Sequence, residues 1–274
     1  MKRFIAEFED QSFTQIIFPH AKTDWIDYLE EAEKTFENII KAVIKYQKCL
    51  VVCADVESVK SRFEESQNLY FVEHECNDSW ARDCSALCVQ DGSPSTKEDK
   101  EIKLLDFIFT GWGGKFEASK DNAMSETIKS SYNKELLHVN LILEGGAVES
   151  NGIDTILTTS ECVLNINRNS TLDYSQITKR IQQELGMSKI LYLNHGYLAG
   201  DDTDSHVDTL ARFIDEKSIM YVQCNDTEDE HYEELKLMQD ELKEYAKIYN
   251  FRLIALPMTD AIYFDNERLP ATYA

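Results

Sequence analysis

From Asp24 to Tyr46 the chain reads DWIDYLEEAEKTFENIIKAVIKY, and from Cys49 to Ala54 it reads CLVVCA. In the first stretch Trp25, Leu29, Ala32, Phe36, Ile39, Ile40 and Val43 recur at the spacing that lays one apolar stripe along a helix, with acids and lysines between them. The second is an unbroken apolar run, which suits a strand buried on both faces. A helix leading into a buried strand decides the fold because the order recurs. Helices are predicted over 125–136, 173–185 and 228–249. Each leads into an apolar run: 137–143, 190–193 and 251–256. A short helix over 58–65 and a strand over 69–73 fall between the first unit and the second.

The recurring unit is a two-stranded hairpin, a helix and a buried strand. Copies are expected at 14–54, 84–143, 145–193 and 206–256, and a fifth opens at Asp260-Ala261-Ile262-Tyr263-Phe264 and stops. Only element order repeats. Such units build blades around an axis; the plainer reading is a doubly wound α/β sheet. Four prolines and ten glycines leave no obvious linker. The stretch from Asp91 to Lys100 reads as a long hairpin loop, so residues 1–274 are taken as a single domain.

With 43% hydrophobic and 28% charged residues the chain is globular rather than disordered. Its net charge of −22 argues against nucleic acid or an anionic membrane as partner, since each phosphate would be repelled. It suits a cationic substrate, although acidity for solubility alone accounts for it too. Seven cysteines, an odd number in a long chain, do not suggest a disulfide framework. They read as buried small apolar residues. The opening residues turn acidic without an apolar signal core, and no run reaches the ~18 apolar residues of a spanning helix. The expected location is the cytoplasm.

Three polar clusters lie at junctions between repeats: Asn77-Asp78-Ser79-Trp80-Ala81-Arg82-Asp83, Glu144-Gly145-Gly146, and Gly200-Asp201-Asp202-Thr203-Asp204-Ser205-His206-Val207-Asp208. Loops at strand ends are where a rigid scaffold presents functional side chains. Pseudo-symmetric blades would aim all three at one pocket holding Asp83, Glu144, Asp208 and His206. Carboxylates gathered there repel one another unless a cation joins them. A planar guanidinium, with its fork of donors, answers that need. A metal answers it less well. The acidic run lacks the spacing of a calcium loop, and neither the cysteine pairs nor His74-Glu75-Cys76 makes a zinc pattern. His206, with acids on both sides, is expected to be held as the imidazolium. The plainer readings are a turn cap for Asp78 or Ser79, an ion pair of Arg82 with Asp83, and a mere bend at Gly145-Gly146.

These residues resemble the agmatine deiminase / bacterial peptidylarginine deiminase family, of the guanidino-group-modifying superfamily. The resemblance rests on Trp80-Ala81-Arg82-Asp83, Glu144-Gly145-Gly146, and the run ending His206-Val207-Asp208 followed by Thr209-Leu210-Ala211-Arg212-Phe213. It implies a five-fold pseudo-symmetric α/β propeller of ββαβ blades, the last incomplete here. It also implies hydrolysis of agmatine to N-carbamoylputrescine and ammonia on a route to putrescine. A cysteine thiolate attacks the guanidinium carbon, ammonia leaves, and water cleaves the thiouronium. Asp83 and Asp208 would clamp the guanidinium, with His206 as general acid and then base. Glu144 would line the pocket, Trp80 would wall it, and Glu144 or Asp202 would take the distal ammonium. No cofactor or metal is implied. A homo-oligomer is compatible with the resemblance.

The sequence departs from that family in two places. Cys84-Ser85-Ala86 follows Asp83 where the family continues with glycine. None of the seven cysteines has the context of the family's nucleophile, which lies near the C-terminus directly behind a histidine. The expectation is a chain cut short of that cysteine, binding guanidines weakly without turning them over. Two alternatives stand: an arginine or peptidyl-arginine deiminase, for which an arginine such as Arg168 or Arg212 would sit at the pocket rim, and a non-catalytic guanidine- or polyamine-binding propeller.

Overall fold

The structure, a computed structural model, describes residues 2–92 and 101–274. Residues 93–100 of the expected loop lie outside the described residues. The strands on either side, Leu87–Asp91 and Glu101–Ile108, pair antiparallel with Asp91 opposite Glu101.

The described residues form a mixed α/β fold of several small sheets. Three sheets share one plan, an antiparallel hairpin followed by a helix and a third strand added parallel. In the first, Leu87–Asp91 and Glu101–Ile108 are joined by Glu135–Ile142, and Arg3–Phe4 pairs along the free edge of Leu87–Asp91. In the second, Val148–Ser150 and Thr155–Thr159 are joined by Lys189–Leu193. In the third, Ala211–Asp215 and Ser218–Gln223 are joined by Arg252–Pro257. A parallel neighbour needs a crossover, and each crossover carries a helix: Ser119–Thr127, Tyr174–Leu185 and Tyr232–Tyr249. The Tyr174–Leu185 helix begins in a capping box, with Asp173 and Gln176 exchanging hydrogen bonds, and ends at the left-handed Gly186.

The N-terminal unit differs from the expected hairpin. Thr14–Ile17, Cys49–Cys53 and Leu69–Glu73 form an all-parallel sheet. All five residues of Cys49–Cys53 are buried, so that strand is central, with a parallel neighbour on each side rather than a hairpin partner. The helix expected over 125–136 also moves. It spans Ser119–Thr127, and Leu136 instead pairs with Leu104 in the sheet, ahead of Leu137, which pairs with Leu105 in the expected strand. Its sequence SKDNAMSET carries almost no apolar periodicity, and the left-handed Asn133 breaks the chain before the strand. The short helix is Val56–Lys60, capped by Asp55. Tyr263–Phe264 and Glu267–Arg268 form a two-stranded ribbon, shorter than the run from Asp260 suggested.

Buried apolar residues gather in separate clusters under the sheets. One centres on Ile156, Ile181 and Leu185, and another on Leu193, Leu210 and Met238. The polar junctions lie between these clusters. No helix among the described residues is long and apolar enough to cross a membrane.

Candidate active site

Asp83 is set by a single helical turn, Ala81–Cys84, rather than by a strand. Cys84 goes into an apolar cluster with Cys76, Leu104 and Trp112, and Asp83 is buried beside it. Asp83 Oδ1 accepts from the Gly146 N–H at 2.9 Å, and Oδ2 accepts from the Trp112 indole at 3.0 Å. Arg82 does not pair with Asp83; its guanidinium goes to Glu7, Glu149 and Asp208.

Gly145 and Gly146 make the convergence possible. A Cβ on Gly145 would lie 2.1 Å from the Arg82 carbonyl oxygen. A Cβ on Gly146 would lie 2.5 Å from His206 Nδ1, 2.7 Å from Asp83 Oδ1 and 2.8 Å from Asp208 Oδ2. One hydrogen atom of a glycine therefore faces all three catalytic candidates. The pair is a close-approach device, not a mere bend.

The third motif is a loop that ties itself down. Asp201 accepts from the backbone N–H and hydroxyl of Thr203 and from the N–H of Ser205. The Thr203 hydroxyl in turn accepts from the His206 N–H at 3.0 Å. Asp204 and Ser205 both sit at positive φ, 63° and 61°, a conformation that persists because these bonds over-determine it. Val207 and Leu210 plug into the core, which directs His206 and Asp208 back toward Gly146. Asp202 is exposed and only its carbonyl is drawn in, by Lys115 at 2.6 Å.

The three junctions thus bring together Asp83, Glu144, His206 and Asp208. They do not make the ring of free carboxylates that the sequence suggested. Arg168 Nε is 3.0 Å from both oxygens of Glu144, and its Nη1 is 2.7 Å from Asp204, which also holds Lys115. Arg168 and Glu144 are both sealed from solvent. Arg82 Nε lies 2.7 Å from Asp208 Oδ2, with its N–H not aimed along the contact, so the pairing is ionic. Asp83 has hydrogen-bond donors and His206, whose Nδ1 is 3.5 Å away, but no guanidinium of its own.

The expectation of a charged His206 is overturned. Burial pushes its pKa below the ordinary value, outweighing the upward pull of Asp208 and Glu144. Its Nε2 is buried with no hydrogen-bond partner. A neutral ring with an open nitrogen can accept a proton. Burial likewise raises Asp83, against the donors that stabilise its anion. Asp208 is raised by burial too, with Arg82 as the strongest opposing influence.

Trp80 stands one ring further out. It is 51% exposed, its indole donates to Asp78, and its ring meets Trp112 edge to face at 6.3 Å. The sequence reading missed Trp112 and named Arg168 only as a rim arginine for the arginine-deiminase alternative. Trp112 was signalled by three glycines around one tryptophan, Gly111-Trp112-Gly113-Gly114, where Trp112 takes a left-handed φ of 54°. Arg168 carries no local signal. Arg168 and Arg212 are both committed to acids, Arg212 to Glu149 and Glu7, so neither is a free arginine at the rim.

Among the described residues, the atoms of Glu144, Cys162 and His206 are the one group close enough to share an ion, within 4.8 Å of each other. Both Glu144 oxygens already serve Arg168. His74, Glu75 and Cys76 are separately engaged: His74 with a carbonyl, Glu75 with two lysines, and Cys76 in the core. The seven cysteines are free thiols; six are buried as expected, but Cys88 is exposed on strand Leu87–Asp91 of the first sheet.

The description of Porphyromonas-type peptidyl-arginine deiminases matches residues 3–274. The chain belongs to that family. Among its deiminase relatives, a Mycoplasma capricolum protein is 30% identical over 239 residues, 85% of this chain and 64% of its own. The agmatine deiminase of Medicago truncatula is 30% identical over 239 residues, 83% of this chain and 63% of its own. The chain thus spans somewhat under two thirds of the length of these relatives. A cysteine-to-serine variant of C. jejuni agmatine deiminase, solved with substrate bound, superposes with a TM-score of 0.92 at 39% identity, covering 100% of this chain and 79% of that one.

Proposed function

We propose that this chain carries the guanidine-binding part of an agmatine deiminase site and that Asp83 answers the substrate's positive charge. The observation that carries the reading is the imbalance of the pocket. Glu144 and Asp208 each meet an arginine of the chain, whereas Asp83, buried, meets none. A buried carboxylate without a cation is costly, and a bound guanidinium relieves that cost. Asp208 would supply the second acceptor, Trp112 and Trp80 would flank the alkyl chain, and Asp202 or Glu144 would meet the distal ammonium.

In the proposed reaction a thiol gives its proton to the neutral His206 as its sulfur bonds to the guanidinium carbon, the imidazolium passes that proton to the departing nitrogen, and ammonia leaves. Water gives one proton to the again neutral His206 and adds to the thiouronium; the C–S bond then breaks, His206 returns that proton to the sulfur, the second water proton goes to the departed ammonia, and the urea is released. Burial raises the pKa of the six buried thiols, Cys49 to about 11 and Cys53 to about 12, so none of these is poised as that nucleophile. The expectation for this chain is binding without turnover. Agmatine is favoured over arginine because Arg168 is sealed from solvent against Glu144 and Asp204, and Arg212 is engaged with Glu149 and Glu7.

The wider proposal is a single cytoplasmic domain built as a five-bladed α/β propeller. It is supported by the shared plan of three sheets and by the ribbon at Tyr263–Arg268. Calorimetric titration with agmatine and arginine, alongside an ammonia assay, tests the function. Tighter binding of agmatine, with ammonia no higher than in a His206→Ala control, is expected. Equal affinity for both ligands, or no binding at all, would overturn the reading. Ammonia well above that control would instead overturn the expectation of no turnover.

A further inference from the structure

Each motif that feeds the pocket also sends a residue into a second cluster, which meets the first at Asp208. Arg82 precedes Asp83, Glu149 follows Glu144, and Arg212 follows Asp208 in the sequence. Arg82 Nη2 donates to Glu149 Oε1 at 3.0 Å, and Arg212 Nε donates to the same oxygen at 2.9 Å. Glu7, from the N-terminal loop, contacts both arginines from the solvent side, and Glu149 is buried between them. Arg82 turns its remaining edge to Asp208, with Nε 2.7 Å from Oδ2. A planar fork presents its Nε and Nη groups on different edges, so one guanidinium can serve three acids at once. A lysine, with one ammonium, could not.

We propose that Arg82 is a positioning residue. Clamped by Glu149 and Glu7, it holds Asp208 through Oδ2 and leaves Oδ1 for the guanidinium of the ligand proposed above. The charged and titratable groups that face Asp208 are Arg82, His206, Asp83, Arg212 and Glu149. Burial pushes the Asp208 carboxyl upward, and of the groups pulling it down Arg82 acts most strongly. Removing Arg82 should therefore raise the Asp208 midpoint further.

Carboxyl-carbon NMR of Asp208 across pH, in the ligand-free 274-residue chain, reads this directly. Arg82→Met should raise the midpoint by about one unit or more, and Arg82→Lys, which keeps the charge but not the fork, should recover only part of that shift. In the unsubstituted chain the Arg82 Nε signal should shift with the Asp208 midpoint, a readout that needs no variant to fold. With agmatine as probe, the acid limb of the binding profile should move up with that midpoint in Arg82→Met, and affinity above the limb should also fall because Asp208 is no longer held. An Arg82 Nε signal that ignores the Asp208 titration would overturn the proposal, as would an unmoved midpoint in Arg82→Met. Failure of the unsubstituted chain to bind agmatine would count against the proposed function, and the ligand-free titration would still decide the role of Arg82.

Discussion

Asp83 and Glu144 are both buried carboxylates beside Gly145-Gly146, and a sequence reading treats them alike. Glu144 shares both its oxygens with Arg168, which continues through Asp204 to Lys115. Asp83 accepts from a backbone N–H and an indole and faces a histidine whose pKa burial lowers. The first carboxylate is charge-balanced by the chain itself and fixes where the loops sit. The second is solvated by dipoles that orient it without neutralising it. Acids with their own cation build the pocket, and the acid without one is where a ligand's charge belongs.

The comparison predicts effects of different kinds and sizes. Arg168→Met should be the most damaging, because it strands a buried Glu144 charge. A loss of about 3–5 kcal/mol in urea unfolding is expected, with little effect if Glu144 were balanced elsewhere. Gly146→Ala would push a methyl into His206, Asp83 and Asp208 together. Agmatine affinity should fall on the order of 100-fold, about 2.7 kcal/mol, while unfolding changes by roughly 1–3 kcal/mol. Trp112→Phe removes one charge-directed donor from Asp83 and keeps the ring. About 1.5 kcal/mol, or roughly tenfold in affinity, should be lost on calorimetric titration.

The smallest effect is in pH. His206 is depressed by burial, so the unfolded chain takes up its proton first, near pH ~6.5. Stability from this group should be intact above that value and should fall as pH drops toward the folded midpoint, by about 1.4 kcal/mol per unit of depression. The His206 ring protons, followed by NMR, should report a neutral imidazole at pH 7. A midpoint above 6.5 would restore the imidazolium reading that the sequence first suggested.

Much of this was legible beforehand, for identifiable reasons. Tyr174–Leu185 and Tyr232–Tyr249 have strong apolar stripes, and their ends fell close to where the pattern placed them. The helix at Ser119–Thr127 has no such stripe; its position is set by contacts such as Asn77 accepting from the Lys120 N–H. Asp83, His206 and Asp208 could be read because their chemistry is local to short motifs. The balancing of Glu144 could not, because Arg168 is 24 residues away in sequence and lies in a stretch without a motif. Flanking acids suggested a protonated His206, but neighbouring charges are visible in sequence and burial is not.

The account stands most directly on one paired titration of agmatine, into Asp83→Asn and into Glu144→Gln. Asp83→Asn should lose at least about 30-fold in affinity, near 2 kcal/mol, and keep or gain stability. Glu144→Gln should bind within a few-fold of the parent chain and pay its cost in unfolding, where Arg168 loses a charged partner. The reverse pattern, with agmatine binding intact in Asp83→Asn and lost in Glu144→Gln, would contradict the central claim.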